Sequence, residues 1–296
     1  MKVLTIGSMN IDYVYSVDHI VQPGETQTTG GMNVFLGGKG INQSMALAKA
    51  GADVYHCGFI GSDGEMFLDA CKEYGVNSDY IRKIEEKTGH TIIQVDKNAQ
   101  NCILLYGGAN QCLTEEFVDE VIGNFEKGDI LLLQNEVNLL PYIIDKAYKK
   151  GMTIALNPSP FNDKLMECDM SKIGIFLLNE VEGEQITGEK APDAILDKLQ
   201  QLYPEAQIVL TLGKDGAVYA HKGERYTQPI FKVQAVDTTA AGDTFTGYFL
   251  AGIIDRMAIP DVLKMSAKAS SIAVTRHGAV QSIPFRKEVE EELETN

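Results

Sequence analysis

The sequence predicts an α/β fold: a mostly parallel sheet with helices on both faces, plus a small inserted β-sheet that reads as a lid. Three observations carry this. Short, nearly continuous apolar runs recur along the 296 residues, helical stretches lie between them, and two segments, 11–36 and 89–106, instead alternate polar and apolar residues. Strands that are apolar on both faces belong to parallel sheets covered by helices on each side. A period of two marks a half-exposed sheet.

The apolar runs, in order, are KVLTIG (2–7), DVYHCGFIG (53–61), DILLLQ (129–134), MTIALN (152–157), IGIFLLN (173–179) and QIVLTLG (207–213). Between them, NQSMALAKAG (42–51) and YIIDKAYKKG (142–151) each close on a glycine, as a helix C-terminus does. YVYSV and HTIIQVD, within the alternating segments, are expected to pair as antiparallel strands of one inserted sheet. No repeat, low-complexity tract or long charge block interrupts the chain. Residues 1–296 are therefore read as a single domain, with lid strands contributed by about 11–36 and 89–106.

Composition narrows the function. A hydrophobic content of 44% can fill the core of one large domain. The 26 Lys and Arg face 41 Asp and Glu, a net charge of −15 that repels phosphate backbones and disfavours nucleic acid as a partner. An anionic ligand would need a local trap. The five cysteines, Cys57, Cys71, Cys102, Cys112 and Cys168, form no C-x-x-C pair, which fits a reducing, cytoplasmic setting. MKVLTIGSMNID carries no signal-peptide pattern, and no apolar run approaches the ~20 residues of a membrane span. His19, His56, His90 and His221 share no metal spacing and read as surface or packing residues.

In open parallel sheets, ligands bind beyond the carboxyl ends of the strands. Those ends deliver Asn10 and Asp12, Asp63, Glu136, Asn157, Asn179 with Glu182, and Thr211 with Gly213. The strongest motif is VDTTAAGDTFTGYFLAG (236–252). It reads as a strand end passing through Ala240, Ala241 and Gly242 to Asp243 and an apolar helix. Small side chains admit an anion to the N–H groups of a helix's first turn, where the dipole favours it. Asp243 is either a helix cap or a proton acceptor for an alcohol beside that cradle. Thr238, Thr239 and the two alanines before it favour the second reading.

A second motif, NVFLGGKGINQSMALAKAG (33–51), places paired glycines and Asn42 at a helix start. It reads as close approach of a ligand to the backbone, or as an ordinary glycine turn. No G-x-x-x-x-G-K-[ST] loop is present: GGKG (37–40) and GKDG (213–216) lack the following hydroxyl residue. Nor does a G-x-G-x-x-G open a helix after the first strand.

Through these segments the chain resembles the ribokinase-like (PfkB-type) carbohydrate kinases. The likeness runs in order through GSMNID (7–12), GGKGIN (37–42), GFIGSDGEMF (58–67), GHTIIQVD (89–96), GGAN (107–110), LLLQNE (131–136), ALNPSP (155–160), LLNEVEGEQITG (177–188), TLGKDG (211–216), DTTAAGDTFTG (237–247) and AVTRHGAVQSIP (273–284). It implies ATP-dependent phosphorylation of a sugar's primary hydroxyl, that of ribose; the alternatives are a nucleoside or pseudouridine kinase, or another sugar kinase of the same superfamily. By that resemblance Asn10, Asp12, Gly38, Lys39, Gly40, Asn42 and Glu136 bind the sugar, and Asp243 is the base. Backbone N–H groups of Ala241, Gly242 and Asp243, after Ala240, form the anion hole. Asn179 and Glu182 sit near the phosphates and magnesium, and Thr211, Leu212, Gly213 and Gly216 line the nucleotide groove, with Gly242.

The resemblance further implies a potassium site formed by Asp237 and Thr239 with Ala273, Arg276, Gly278 and Ser282. The tail taken alone reads as a C-terminal strand. A homodimer joined through the lids is expected as well, since the alternating strands would otherwise leave an apolar face uncovered. Asn135 and His277 depart from the family pattern without touching the catalytic set, and the bulky Tyr13 and Tyr15 after Asp12 bear on which sugar the lid admits.

Overall fold

A nine-stranded sheet forms the body, in the order β13-β12-β11-β10-β9-β8-β1-β4-β5. In chain order its strands are β1 (Val3–Ile6), β4 (Val54–Ile60), β5 (Asn77–Lys83), β8 (Ile130–Gln134), β9 (Thr153–Asn157), β10 (Ile175–Asn179), β11 (Gln207–Thr211), β12 (Ala217–His221) and β13 (Glu224–Gln228). The computed structural model describes residues 1–98 and 100–295. Neighbours from β11 through to β5 pair in parallel, while β12 and β13 add an antiparallel hairpin at one edge.

Helices cover both faces. They are α1 (Lys39–Lys49), α2 (Glu65–Tyr74), α3 (Glu115–Gly123), α4 (Leu140–Lys150), α5 (Glu180–Thr187), α6 (Pro192–Leu202), α7 (Ala241–Ile254), α8 (Ile259–Ala273) and α9 (Arg286–Glu294). Alternate residues of a strand feed opposite cores: Ile130 and Leu132 pack with α1, α7 and α8, whereas Leu131 and Leu133 pack with α3 and α4. That double burial is why the central strands read as unbroken apolar runs. No described helix is long and apolar enough to cross a membrane.

The lid is a separate four-stranded sheet, β3-β2-β6-β7, built from β2 (Asn10–Ser16), β3 (Gly31–Gly37), β6 (Gly89–Val95) and β7 (Asn101–Tyr106). The predicted segment 89–106 includes residue 99, which lies outside the described residues. Two lid pairings are antiparallel as expected, but β2 and β6 run parallel. The reason lies in the connections. β2 follows β1 and β6 follows β5, so both leave the same edge of the parallel body in the same direction.

Two further expectations change. No strand among the described residues leads into the 236–252 motif. Pro229 follows β13 and cannot donate to a ladder; Val236 N and Asp237 N instead donate to Val274 O, at 2.7 and 3.2 Å. The tail is not a strand either: after α8 it runs through turns to α9, with Arg276 N donating to Ala273 O at 3.1 Å.

Sequence neighbours α1 and α2 lie far from α7 along the chain, yet α1 packs against it closely enough that a Cβ at Gly247 would sit 2.4 Å from Ala46 Cβ. The chain order reverses at β1, whose neighbours are β4 on one side and β8 on the other. A crevice opens at the carboxyl end of such a switch point, and here it is flanked by the residues after β1 and after β8.

Candidate active site

Beyond β1, the chain must pass α1 almost in contact. A Cβ on Gly7 would lie 2.7 Å from Gly40 Cα and 2.5 Å from Gln134 Oε1, so no larger residue fits there. This close approach brings Ser8, Glu136 and the start of α1 together. Ser8 Oγ donates to Glu136 Oε2, Lys39 N donates to the same oxygen at 3.0 Å, and Gly40 N donates to Ser8 Oγ at 3.3 Å. Burial raises the Glu136 carboxyl above its usual pKa, against the opposing effects of Ser8 and Lys39.

Asn10 and Asp12 project from the same face of β2, two residues apart. Asn110, in the turn before α3, pins the start of that strand: it accepts from Met9 N at 2.9 Å and donates to Asn10 Oδ1 at 2.8 Å. Asp12 Oδ1 accepts from Thr91 Oγ1 of β6 at 2.6 Å. Diagonally across stands Gly37, the β3 partner of Asn10, where an added Cβ would fall 1.9 Å from Asp12 Oδ2. Burial pushes Asp12 up to about 6, Thr91 opposes this, and the Glu136 charge adds to it.

Asp243, the third residue of α7, is buried. Both its oxygens accept from α1: Asn42 Nδ2 to Oδ2 at 3.0 Å and Gln43 Nε2 to Oδ1 at 2.9 Å. The helix cap is Ala240, held in the left-handed region at φ 58°, so Asp243 is not the capping residue. Ala241 N donates to Thr238 O at 3.3 Å, so one of the three expected anion-hole groups already serves the turn.

In front of this turn lies a cavity of about 230 Å³. Lys39, Asn157, Asn179, Glu182, Thr211 and the 240–243 turn line it. Burial alone would lower the Lys39 pKa, but Asp243, Glu136 and Glu182 together raise it. Lys39 therefore stands charged between the Asp12–Glu136 side and the cavity, whose lining does not include Asn10, Asp12 or Glu136.

Asn179 and Glu182 form a capping box on α5: Asn179 Oδ1 accepts from Val181 N and Glu182 N, and Asn179 N donates to Glu182 Oε2 at 2.9 Å. The buried Glu182 carboxylate is thus fixed at the cavity wall. Leu212, Gly213 and Gly216 make the tight turn between β11 and β12, closed by Leu212 N donating to Gly216 O at 2.7 Å. Asp63 is spent elsewhere. It accepts from Thr88 N and Oγ1, which keeps its pKa low despite some burial, and it does not reach the cavity.

The 237–239 segment and the tail do meet. Asp237 Oδ1 accepts from Thr239 N and Oγ1 at 2.9 and 2.6 Å, and Oδ2 accepts from Gly278 N at 3.0 Å. Burial would raise the Asp237 pKa, but these bonds and nearby His277 hold it below the usual range. Ser282 is buried and donates to Ala279 O at 2.8 Å, while the Arg276 side chain pairs with Glu288. One carboxylate, hydroxyls and turn carbonyls are a fitting donor set for a monovalent cation. A site needing three or more acidic, His or Cys ligands is absent among the described residues.

Reading motifs alone left Ser8, Gln43, Thr91, Asn110 and Gln134 without roles. All lie inside or beside quoted motifs, but their importance comes from partners far away in sequence, such as Gln43 with Asp243 and Asn110 with Asn10.

Comparison with known proteins places these features in a group. Residues 1–286 match the model of the pfkB family carbohydrate kinases. The chain is 37% identical to a ribokinase from Haemophilus influenzae, with 99% of each chain covered. It is 30% identical to a deoxyribokinase from Salmonella typhi, over 100% of both. Its fold superposes on the structure of Arabidopsis thaliana ribokinase complexed with ribose and ATP with a TM-score of 0.87, at 29% identity, covering 99% of this chain and 98% of that one.

Proposed function

Because the chain belongs to the pfkB family of carbohydrate kinases and is an ATP-dependent sugar kinase, we propose that its acceptor is ribose, phosphorylated on the primary hydroxyl. The observation that carries this is the placement of Asp243. It stands at the start of α7, beside the cavity, and is joined through Asn42 and Lys39 to the Asp12–Glu136 side.

In this reading Asn10, Asp12 and Glu136, with the glycine turn at Gly38–Asn42, grip the sugar hydroxyls. Asp243 accepts the proton of the attacking hydroxyl as it meets the γ-phosphoryl group. N–H groups at the start of α7 face the phosphoryl oxygens and spread their charge. Lys39 adds a positive charge on the same side. Thr211 to Gly216 lie along the nucleotide. Glu182, with Asn179, would hold magnesium through water and the nucleotide's phosphates, and that ion supplies charge neutralisation. Asp237, Thr239 and the carbonyls of the 273–278 turn, with Ser282, would hold potassium behind the anion-binding turn. The whole chain acts as one catalytic unit, as a dimer covered through its lids, in the cytoplasm, where its five free cysteines stay reduced.

A second reading, 2-deoxyribose as acceptor, is favoured by the full-length likeness to a deoxyribokinase. One assay separates these. Ribose, 2-deoxyribose, hexoses and nucleosides are each offered with ATP and magnesium, and potassium is varied against choline at constant ionic strength. The proposal expects ribose to give the highest kcat/KM, and potassium to raise kcat. Preference for a nucleoside or a hexose, or a rate flat in potassium, would count against the corresponding part.

A further inference from the structure

We infer that Gln43 and Gln134 form a buried amide relay that positions the Asp243 carboxylate for its encounter with the acceptor hydroxyl. This rests on the reading of Asp243 as the base. Gln43 Nε2 donates to Asp243 Oδ1 at 2.9 Å. A carboxylate can only accept, so it dictates which way the Gln43 amide faces. The Gln43 oxygen must then point away from the site, where Gln134 Nε2 donates to it at 2.6 Å. Gln134 is thereby oriented as well. Its own Oε1 is left buried and without a hydrogen-bond partner among the described residues.

Both glutamines are fully buried. A glutamine pair ending in an orphaned oxygen is a poor solution for stability, because methionine or leucine would fill the same space with no polar atom to satisfy. The arrangement makes sense as orientation. Gln43 is neutral, so it fixes the carboxylate without placing a second charge against it. Gln134 is the last residue of β8, two before Glu136. The relay therefore ties the direction of the base to the strand that presents the sugar-gripping carboxylate.

Asn42 shows a different state. It donates to the other oxygen of Asp243, yet its Oδ1 is also buried and unpartnered. An amide whose oxygen is unspent can accept a hydrogen bond from a sugar hydroxyl without releasing Asp243. Gln43, with both ends engaged, cannot. When the sugar arrives, Gln43 remains as the fixed hold on the base.

The test is a double-mutant cycle of Gln43→Met with Asp243→Asn, with Gln134→Met alongside, reading kcat, both KM values and thermal stability. Misdirecting a catalytic group by about 1 Å costs up to ~100-fold. Gln43→Met should lower kcat by ~10–100-fold with both KM values nearly unchanged. Gln134→Met should lower kcat by ~3–10-fold, since it only frees Gln43 to turn. It exchanges one orphaned oxygen for another, so its melting temperature should stay close to the parent's. In the Asp243→Asn background, Gln43→Met should cost nothing further, because groups acting as a unit are not additive. A wild-type kcat in Gln43→Met, or the same loss with and without Asp243, overturns the relay. So does a Gln134→Met protein that melts normally and turns over normally, a result that stands even if Gln43→Met does not fold. Near-full activity in Asp243→Asn alone would instead sink the reading of the base.

Discussion

The start of α7 and the lid are opposites. Around Asp243 both carboxylate oxygens have amide donors, and the residue itself is only 8% exposed. In the lid, Ile103, Leu104 and Leu105 stand 56%, 68% and 48% exposed, and all of β7 faces solvent. The chemical end is assembled before any substrate arrives, whereas the lid leaves apolar surface waiting for something to cover it. As the proposed base, Asp243 is preorganised and would cost no rearrangement at the moment of reaction. A lid of the proposed kind cannot be built that way, because it would open to admit sugar and close to exclude water.

The sharpest way to break this contrast is Asp243→Asn. Loss of a general base should lower kcat by ~10²–10⁴-fold, with ATP binding nearly unchanged, as measured by steady-state kinetics and calorimetry. Activity close to the parent's would make the assembled end mere scaffolding.

Asp12 lies between the two regions, on a lid strand but inside the proposed sugar site. Charge-assisted hydrogen bonds contribute ~1.5–3 kcal/mol each, so Asp12→Ala should weaken sugar binding by about ten- to hundred-fold and spare ATP. The ionised carboxylate accepts from hydroxyls more strongly than the acid, whose O–H becomes a donor, so sugar affinity in the parent should fall as pH drops through about 6. The folded pKa is raised above the ordinary 3.8, so the fold favours the protonated form and loses stability as pH climbs through that window. Asp12→Asn should therefore melt higher than the parent above about pH 6. Equal melting across pH, or sugar affinity flat through that range, would put Asp12 outside the site.

The smallest effect on turnover is expected farthest out. The double variant Ile103→Lys with Leu104→Lys places charge on both faces of β7 and should convert a dimer to monomers in light scattering. Turnover should change only a few-fold, since the base is untouched. A parent that is already monomeric at micromolar concentration would remove the dimer from the proposal.

The same contrast decides what the sequence can reveal. Central strands such as Leu131–Leu133 lie between two cores, so their burial is written in uninterrupted apolar runs. The edge strands β5 and β13 carry polar residues on open faces and blend with loops. Direction within the lid escaped because periodicity reports which face a residue occupies, not which way its strand runs. In the site, Asp243 could be read from its setting, while Gln43 could not. A glutamine on a helix resembles a solvated surface residue until α7, two hundred positions along the chain, is folded against it.

Gly37 carries a consequence for how this enzyme can diversify. Any side chain there would collide with Asp12, so every missense change at that codon attacks the proposed sugar grip directly. A lineage drifting toward a new acceptor must leave that position alone. Its freedom lies with neighbours on the lid, such as half-buried Phe35, which faces Asp12 across the β2–β3 ladder. A directed-evolution library would gain most by holding residue 37 constant and randomising there.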